Sequence, residues 1–411
     1  SFAMVDAAME FLKLIREYAP NKLAGLYGGY LYYYGSFQLL YNGHSQFFKL
    51  YQSRLADFIC TPNDYVQRKV GWPAGHHTPF SGTTLYNLAN LDENDTRTIM
   101  CTPGGHRHVD NLHETIGVFK RDRILQLTKG LGNVNYDLGG GWLSHPGIIN
   151  ALRTMTNISK FADNLPGFTR SKVAVLYSAG SINRLVIDNN AVSVPVREGM
   201  RRELGISGIS ADQYLLEDIL QDNFPEYDCY ILPNVYAPSD ELRDAIEKKL
   251  KKPGKLLVFG FAPGAFKDGK AEISPAAMKE LTGMDIAFEM RKEKRSVKWD
   301  KGVYGSGAMV GPAFAVTDPE AEVWGKYTAS GNTALAYKEN PGSWNSLVAL
   351  APEMPAELWR RVFKRNGIHL FATSNDPTYY DGRFVAIHAA SSGRKKLSLP
   401  EKHNWYDLCR N

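Results

Sequence analysis

The run Leu85-Tyr86-Asn87-Leu88-Ala89-Asn90-Leu91-Asp92-Glu93-Asn94-Asp95-Thr96-Arg97-Thr98 changes character halfway along. Its first half is apolar enough to read as a buried strand near 85–91. Its second half packs three carboxylates into four residues. The same change recurs three more times. Leu23-Ala24-Gly25-Leu26-Tyr27 runs into Gly28-Gly29, Asp57-Phe58-Ile59-Cys60 into Thr61-Pro62-Asn63-Asp64, and a strand over 134–138 into Gly139-Gly140-Gly141-Trp142. Helical periodicity fills the intervals: 9–18, stopped before Pro20, then 44–55, 111–131 and 146–161. Strand–helix alternation of this kind builds a parallel sheet. Polar and glycine-rich residues after each strand lie where barrel enzymes keep their chemistry. Four such units are half of an eight-stranded barrel.

Pro166 and Arg170 mark a boundary. A second α/β pattern opens with Lys172-Val173-Ala174-Val175-Leu176-Tyr177-Ser178 and is repeated at 228–233 and 255–260. A helix between the last two has acids after Ser239 and lysines at its end, which suits the helix dipole. This pattern predicts a doubly wound, flavodoxin-like unit. No GxGxxG follows its first strand, which argues against a nucleotide site over 171–290. From about Asp376 short strands with turns are expected, at 383–388 and 396–400. The predicted organisation is α/β: a partial barrel over 1–168, an α/β unit over 169–378 and a small β module over 379–411.

With 44% hydrophobic and 22% charged residues, the chain has an ordinary globular composition. The net charge of +5 comes with short, interrupted basic clusters such as Lys248-Lys249, Arg291-Lys292 and Arg394-Lys395-Lys396, so no nucleic-acid partner is expected. There is no 18-residue apolar run, so no membrane span is expected. Nor do the first residues show a secretory leader pattern, and the compartment is not specified. The four cysteines, Cys60, Cys101, Cys229 and Cys409, lack CxxC spacing, which argues against a zinc knot. His76, His77, His106 and His108 have no acidic or cysteine partner at ligand spacing. No metal and no cofactor are expected. The 22 tyrosines gather in places near glycine turns, as at Tyr30, Tyr32, Tyr33 and Tyr34. Such rings suit the C–H face of a pyranose and equally suit core packing.

The acidic cluster Asp92-Glu93-Asn94-Asp95 is costly unless solvated, paired with Arg97, or used. A retaining glycosidase uses two carboxylates about 5–5.5 Å apart. A helix-capping loop, with Asp95 or Thr96 capping and Arg97 pairing, explains the same residues without catalysis. Likewise Asp137 and Trp142 frame either a sugar platform or a packed turn. No GxSxG motif points to a serine hydrolase.

Taken in order, Gly25-Leu26-Tyr27-Gly28-Gly29-Tyr30, Asp57-Phe58-Ile59-Cys60-Thr61-Pro62, Leu91 to Thr98 and Asp137-Leu138-Gly139-Gly140-Gly141-Trp142 resemble the second half of the barrel in glycoside hydrolase family 42 β-galactosidases and their β-mannosidase relatives. The part after 170 resembles their trimerisation domain, with Pro341-Gly342-Ser343-Trp344 and Arg365-Asn366-Gly367-Ile368-His369-Leu370-Phe371 matching its closing segment. The resemblance implies a retaining β-glycosidase acting on a carbohydrate, assembled as a homotrimer. It implies Glu93 as the nucleophile after barrel strand seven. It implies that the acid/base follows strand four, ahead of the first residue here. Tyr30, Tyr32, Asp64, Arg97, Asp137 and Trp142 are the substrate-binding candidates. Asp64 and Asp137 are also the carboxylates available as stand-ins for the acid. A carbohydrate-binding or assembly protein without catalysis fits the same residues.

Overall fold

The computed structural model describes residues 2–33, 39, 42–104, 107–166, 168–185, 190–267, 269–400 and 404–408. Tyr34, His106 and Cys409, named above, lie outside them. The chain opens with helix α1 (Phe2–Tyr18) and strand β1 (Gly25–Tyr27), followed by α2 (Phe47–Ser53) and β2 (Phe58–Pro62). After these come β3 (Ala89–Asn94), α3 (Leu112–Lys129), β4 (Gly132–Asn135) and α4 (Pro146–Ala162). The four strands form one parallel sheet in chain order. Its register sets Tyr27 beside Cys60, Cys60 beside Leu91, and Leu91 beside Gly132.

The third strand corrects the sequence reading. Residues 82–86 form a 3-10 turn, and the strand proper begins at Ala89 and runs through the carboxylates to Asn94. The helix that follows is not capped by Asp95 or Thr96. Asn111 caps α3, accepting from the Glu114 amide at 2.9 Å, while the Glu114 carboxylate accepts from the Asp110 amide at 2.7 Å. At the other end Gly130, at φ 68°, closes the helix in the left-handed region.

The second unit is a nine-stranded mixed sheet. Strands β5 (Val173–Tyr177), β6 (Ala211–Leu215), β7 (Cys229–Leu232), β8 (Leu256–Phe259) and β15 (Asn345–Ala349) run parallel in the order β6-β5-β7-β8-β15. That is the second-first-third-fourth-fifth order of a flavodoxin-like sheet. Beyond β15 it continues antiparallel through β14 (Thr333–Lys338), β13 (Glu322–Tyr327), β10 (Glu293–Trp299) and β11 (Gly302–Val310). A separate pair, β9 (Ile286–Glu289) with β12 (Ala313–Val316), packs beside it, with Phe314 against Phe261 at 5.3 Å between ring centroids. The alternation in β10, with Arg295, Val297 and Trp299 buried and Lys294 and Lys298 exposed, is the period-2 pattern of a sheet covered on one face.

One hydrophobic core crosses residue 169: Leu12, Tyr51, Ile59 and Leu85 belong with Val173, Leu176, Ile231 and Trp359. Buried ion pairs cross it too, Arg201 with Asp64 at 2.7 Å and Lys129 with Asp212 at 2.6 Å. Near the end, β16 (Thr378–Tyr380) pairs with β17 (Val385–Ile387). Asp381 holds the turn, accepting from the Arg383 and Phe384 amides. The strand expected at 396–400 is absent. Ser398 instead bonds singly to Phe371 and His369. No described helix is long and apolar enough to cross a membrane.

Candidate functional site

Alternation along β3 sorts its two carboxylates onto opposite faces. Asp92 turns toward α3, where Gln126 donates to it at 2.6 Å. Glu93 turns to the other face, with Cys60, whose sulfur lies 4.0 Å from Oε2. Tyr27 and Tyr136 share this side. Tyr27's phenol is raised first by Cys60 and then by burial, with smaller contributions from Glu93 and Tyr136. Glu93 is 8% exposed and sits at the C-terminal end of the strand. Burial holds its carboxyl above the ordinary value, Asp95 adds to this, and Arg68 opposes it.

Around Glu93 the loops after β1 and β2 build an aromatic cluster. The chain turns at Gly29, at φ 83°, where a Cβ would lie 3.1 Å from the Thr61 hydroxyl. That turn delivers Tyr30 onto His77, stacked at 5.2 Å. Tyr33 and Tyr65 close on the same imidazole at 5.1 and 4.5 Å. Burial pushes His77 down to about 3, so it packs as a neutral ring. The Tyr65 phenol is raised by burial and then by Asp95, and Glu93 also acts on it. The Arg68 guanidinium lies 4.3 Å from the Tyr65 ring centroid and pairs with Asp95. Arg68, rather than Arg97, is therefore the cation that the acidic cluster uses.

Arg97 instead stands over the Trp142 ring, 5.5 Å from its centroid. Thr98 donates to the Trp142 carbonyl, and the Trp142 amide reaches both Asp137 oxygens at 3.1 and 3.2 Å. Gly140 and Gly141, both in the left-handed region, allow this tight return. Arg97, Asp137 and Trp142 thus form one contact group beyond β3 and β4.

Two sequence candidates lie elsewhere. Tyr32 is fully buried between Arg201, 3.9 Å from its ring centroid, and Tyr177 at 5.1 Å. It packs where the two units meet, with no face open to a ligand. Asp64 is equally buried. Burial alone would raise its pKa, but the Arg201 charge, helped by the Val66 amide, outweighs it and holds the carboxyl below its ordinary value. Its other oxygen caps the turn at Val66, 2.8 Å away. An acid locked as a carboxylate does not suit proton donation. Among the described residues no group of three metal-binding side chains forms. Sequence reasoning missed Tyr65, Arg68 and Cys60 as neighbours of Glu93. The Asp64-Tyr65 step directly after β2 was the available signal.

No family model matches the sequence, and no curated protein matches it. Solved structures do match in fold. The cold-adapted β-galactosidase of Rahnella sp. R3 superposes with a TM-score of 0.57 at 15% identity, over 91% of this chain and 59% of that one. The β-galactosidase of Bacillus circulans sp. alkalophilus gives 0.50 at 13% identity, over 91% of this chain and 58% of that one. Gan42B, a GH42 β-galactosidase, gives 0.47 at 11% identity, over 77% of this chain and 54% of that one. The chain spans less than three-fifths of the length of these structures, and in fold it is similar to β-galactosidases.

Proposed function

We propose that this chain is the C-terminal part of a retaining β-glycosidase of the β-galactosidase or β-mannosidase type, with Glu93 as its nucleophile. The observation that carries the reading is the placement of Glu93, at the C-terminal end of a parallel strand and on the face turned away from the packed helix. A nucleophile at that position attacks the anomeric carbon and forms the glycosyl-enzyme bond. In this reading residues 1–168 are the second half of a (β/α)8 barrel. Residues 169–378 are a trimerisation domain that makes the protein a homotrimer, and 379–411 are a small β module. Arg97, Asp137 and Trp142 line the sugar site, with Tyr30 at its other wall.

The general acid comes from outside this set of residues. Asp92 lies on the opposite face of β3, Asp95 is paired with Arg68, Asp64 with Arg201, and Asp137 accepts from the Trp142 amide through both oxygens. The chain alone should therefore turn over nitrophenyl β-galactoside and β-mannoside very weakly or not at all, because general acid–base help is worth roughly 10²–10⁴-fold. Adding a polypeptide that supplies the other four strand–helix units should restore turnover, and Glu93→Gln should abolish it again. Full turnover by the isolated chain, on the order of 1–10³ per second, would overturn this assignment of the acid.

A further inference from the structure

We propose that the β16–β17 hairpin is a strap over the loop after β2, in which Tyr379 and His388 are positioning residues that act on Glu93 through Arg68. The loop over 63–77 carries Tyr65, Arg68 and His77. Its neck is closed where the Asp64 amide donates to the Gly75 carbonyl at 3.0 Å and Asn63 bridges to His76. Between these points it forms neither helix nor strand. Its backbone is held from outside instead. The Gly71 amide donates to Nε2 of His388 at 3.0 Å, and the Ala74 amide to the Tyr379 hydroxyl at 2.7 Å. Arg121 on α3 donates to the Lys69 and Trp72 carbonyls at 2.9 and 3.2 Å. Gly71 stands at φ 78°, and a Cβ there would lie 3.0 Å from that of Ala390, just past His388.

The hairpin is itself anchored. The Tyr379 ring packs in a small core with Phe80, Leu125 and Leu131. Asp376 accepts from the Ala390 amide at 2.7 Å and pairs with Lys395 at 3.0 Å. Burial lowers His388 to about 4, with Arg121 helping and Asp376 opposing, so the ring is neutral and its Nε2 accepts. On the inner side of the loop, Arg68 donates to Asn63 and Asp95 and lies against the Tyr65 ring. An unpaired carboxylate two residues beyond Glu93 opposes ionisation of Glu93, and the guanidinium offsets it. A loop released by the hairpin takes Arg68 from Asp95, and Glu93 then titrates higher. The consequence for catalysis rests on reading Glu93 as the nucleophile; the strap does not.

The test is a carboxyl titration by NMR of the chain labelled with ¹³C at the glutamate carboxyl, with Glu93→Gln identifying the Glu93 signal. Arg68→Met should raise the Glu93 midpoint by about one pH unit. Tyr379→Phe combined with His388→Phe removes both acceptors and keeps both rings. It should move the midpoint in the same direction by a smaller amount. A merely structural role would lower the thermal midpoint and leave the Glu93 titration in place. A Glu93 midpoint unmoved by the double variant, or unmoved by Arg68→Met, would overturn the proposal. Should the double variant fail to fold, hydrogen exchange in the wild type decides the matter. The Gly71 and Ala74 amides should exchange as slowly as the paired amides of β16 and β17, and exchange at the rate of an open loop would contradict the strap. Neither readout uses turnover, so a failure here is distinct from a failure of the nucleophile assignment.

Discussion

At the scale of single residues, the buried pair Arg201–Asp64 carries the sharpest energetic expectation. Both side chains are almost wholly covered. Removing one partner of such a pair leaves an unpaired buried charge and costs about 3–5 kcal/mol. Arg201→Met should lower the urea midpoint accordingly, and adding Asp64→Asn should restore part of the loss. A double variant no better than the single one would deny the pairing. The same burial makes stability depend on pH in two directions. His76 and His77 titrate near 4 and 3 in the folded chain against an ordinary 6.5, so the unfolded chain takes up their protons first. Their contribution is complete above 6.5 and is lost as pH falls through 4 and 3. Asp92 works oppositely. Its folded value near 8 lies above the ordinary 3.8, so its contribution is present below 3.8 and is lost as pH rises through 8. Asp92→Asn should therefore flatten the fall of the thermal midpoint between pH 6 and 8, and an unchanged slope would contradict this. The cluster of carboxylates was visible in the sequence, but its partner was not. Arg97 is the nearest cation along the chain. Arg68 reaches Asp95 only because the loop after β2 folds over β3, and no local pattern encodes that.

At the scale of elements, the four strand–helix units were legible because each joins an apolar run to a helical period. The start of β3 was not. Leu85 and Leu88 are apolar for a different reason: they fill the core from a 3-10 turn and the residues just after it. Apolarity reports burial, and here burial preceded the strand by several residues. In the antiparallel wing, β10, β11, β13 and β14 escaped the reading because bulges interrupt their pairing and glycines break the pattern of β11 and β13. α1 is the element whose surface is least accounted for. Val5 and Leu12 are buried, but Phe11 and Tyr18 are 67% and 79% exposed, and Leu14 is open as well. A helix with two apolar faces is built for two neighbours. In the proposed barrel the second neighbour is the helix of the preceding unit. The isolated chain should bind a hydrophobic dye, and Phe11→Glu with Tyr18→Lys should reduce that binding with little change in the thermal midpoint. Binding unaffected by both changes would place the exposed surface elsewhere.

At the scale of the whole molecule, the continuous core and the ion pairs across residue 169 bind the two units into one body. Their joint unfolding should be a single transition. The proposed trimer belongs to this scale as well. Light scattering at micromolar concentration should give three times the chain mass of 45.9 kDa, and a monomer would count against a trimerisation domain. The central claim is that Glu93 is the nucleophile of a retaining glycosidase, and trapping the covalent intermediate tests it most directly. The chain, mixed with a polypeptide supplying the other four strand–helix units, is treated with a 2-fluoro β-galactoside or β-mannoside whose dinitrophenolate leaves without a general acid. Peptide mass spectrometry then locates the sugar. The account predicts one glycosyl adduct, on Glu93; an adduct on another carboxylate, or none on a complex that turns over nitrophenyl glycosides, would contradict it.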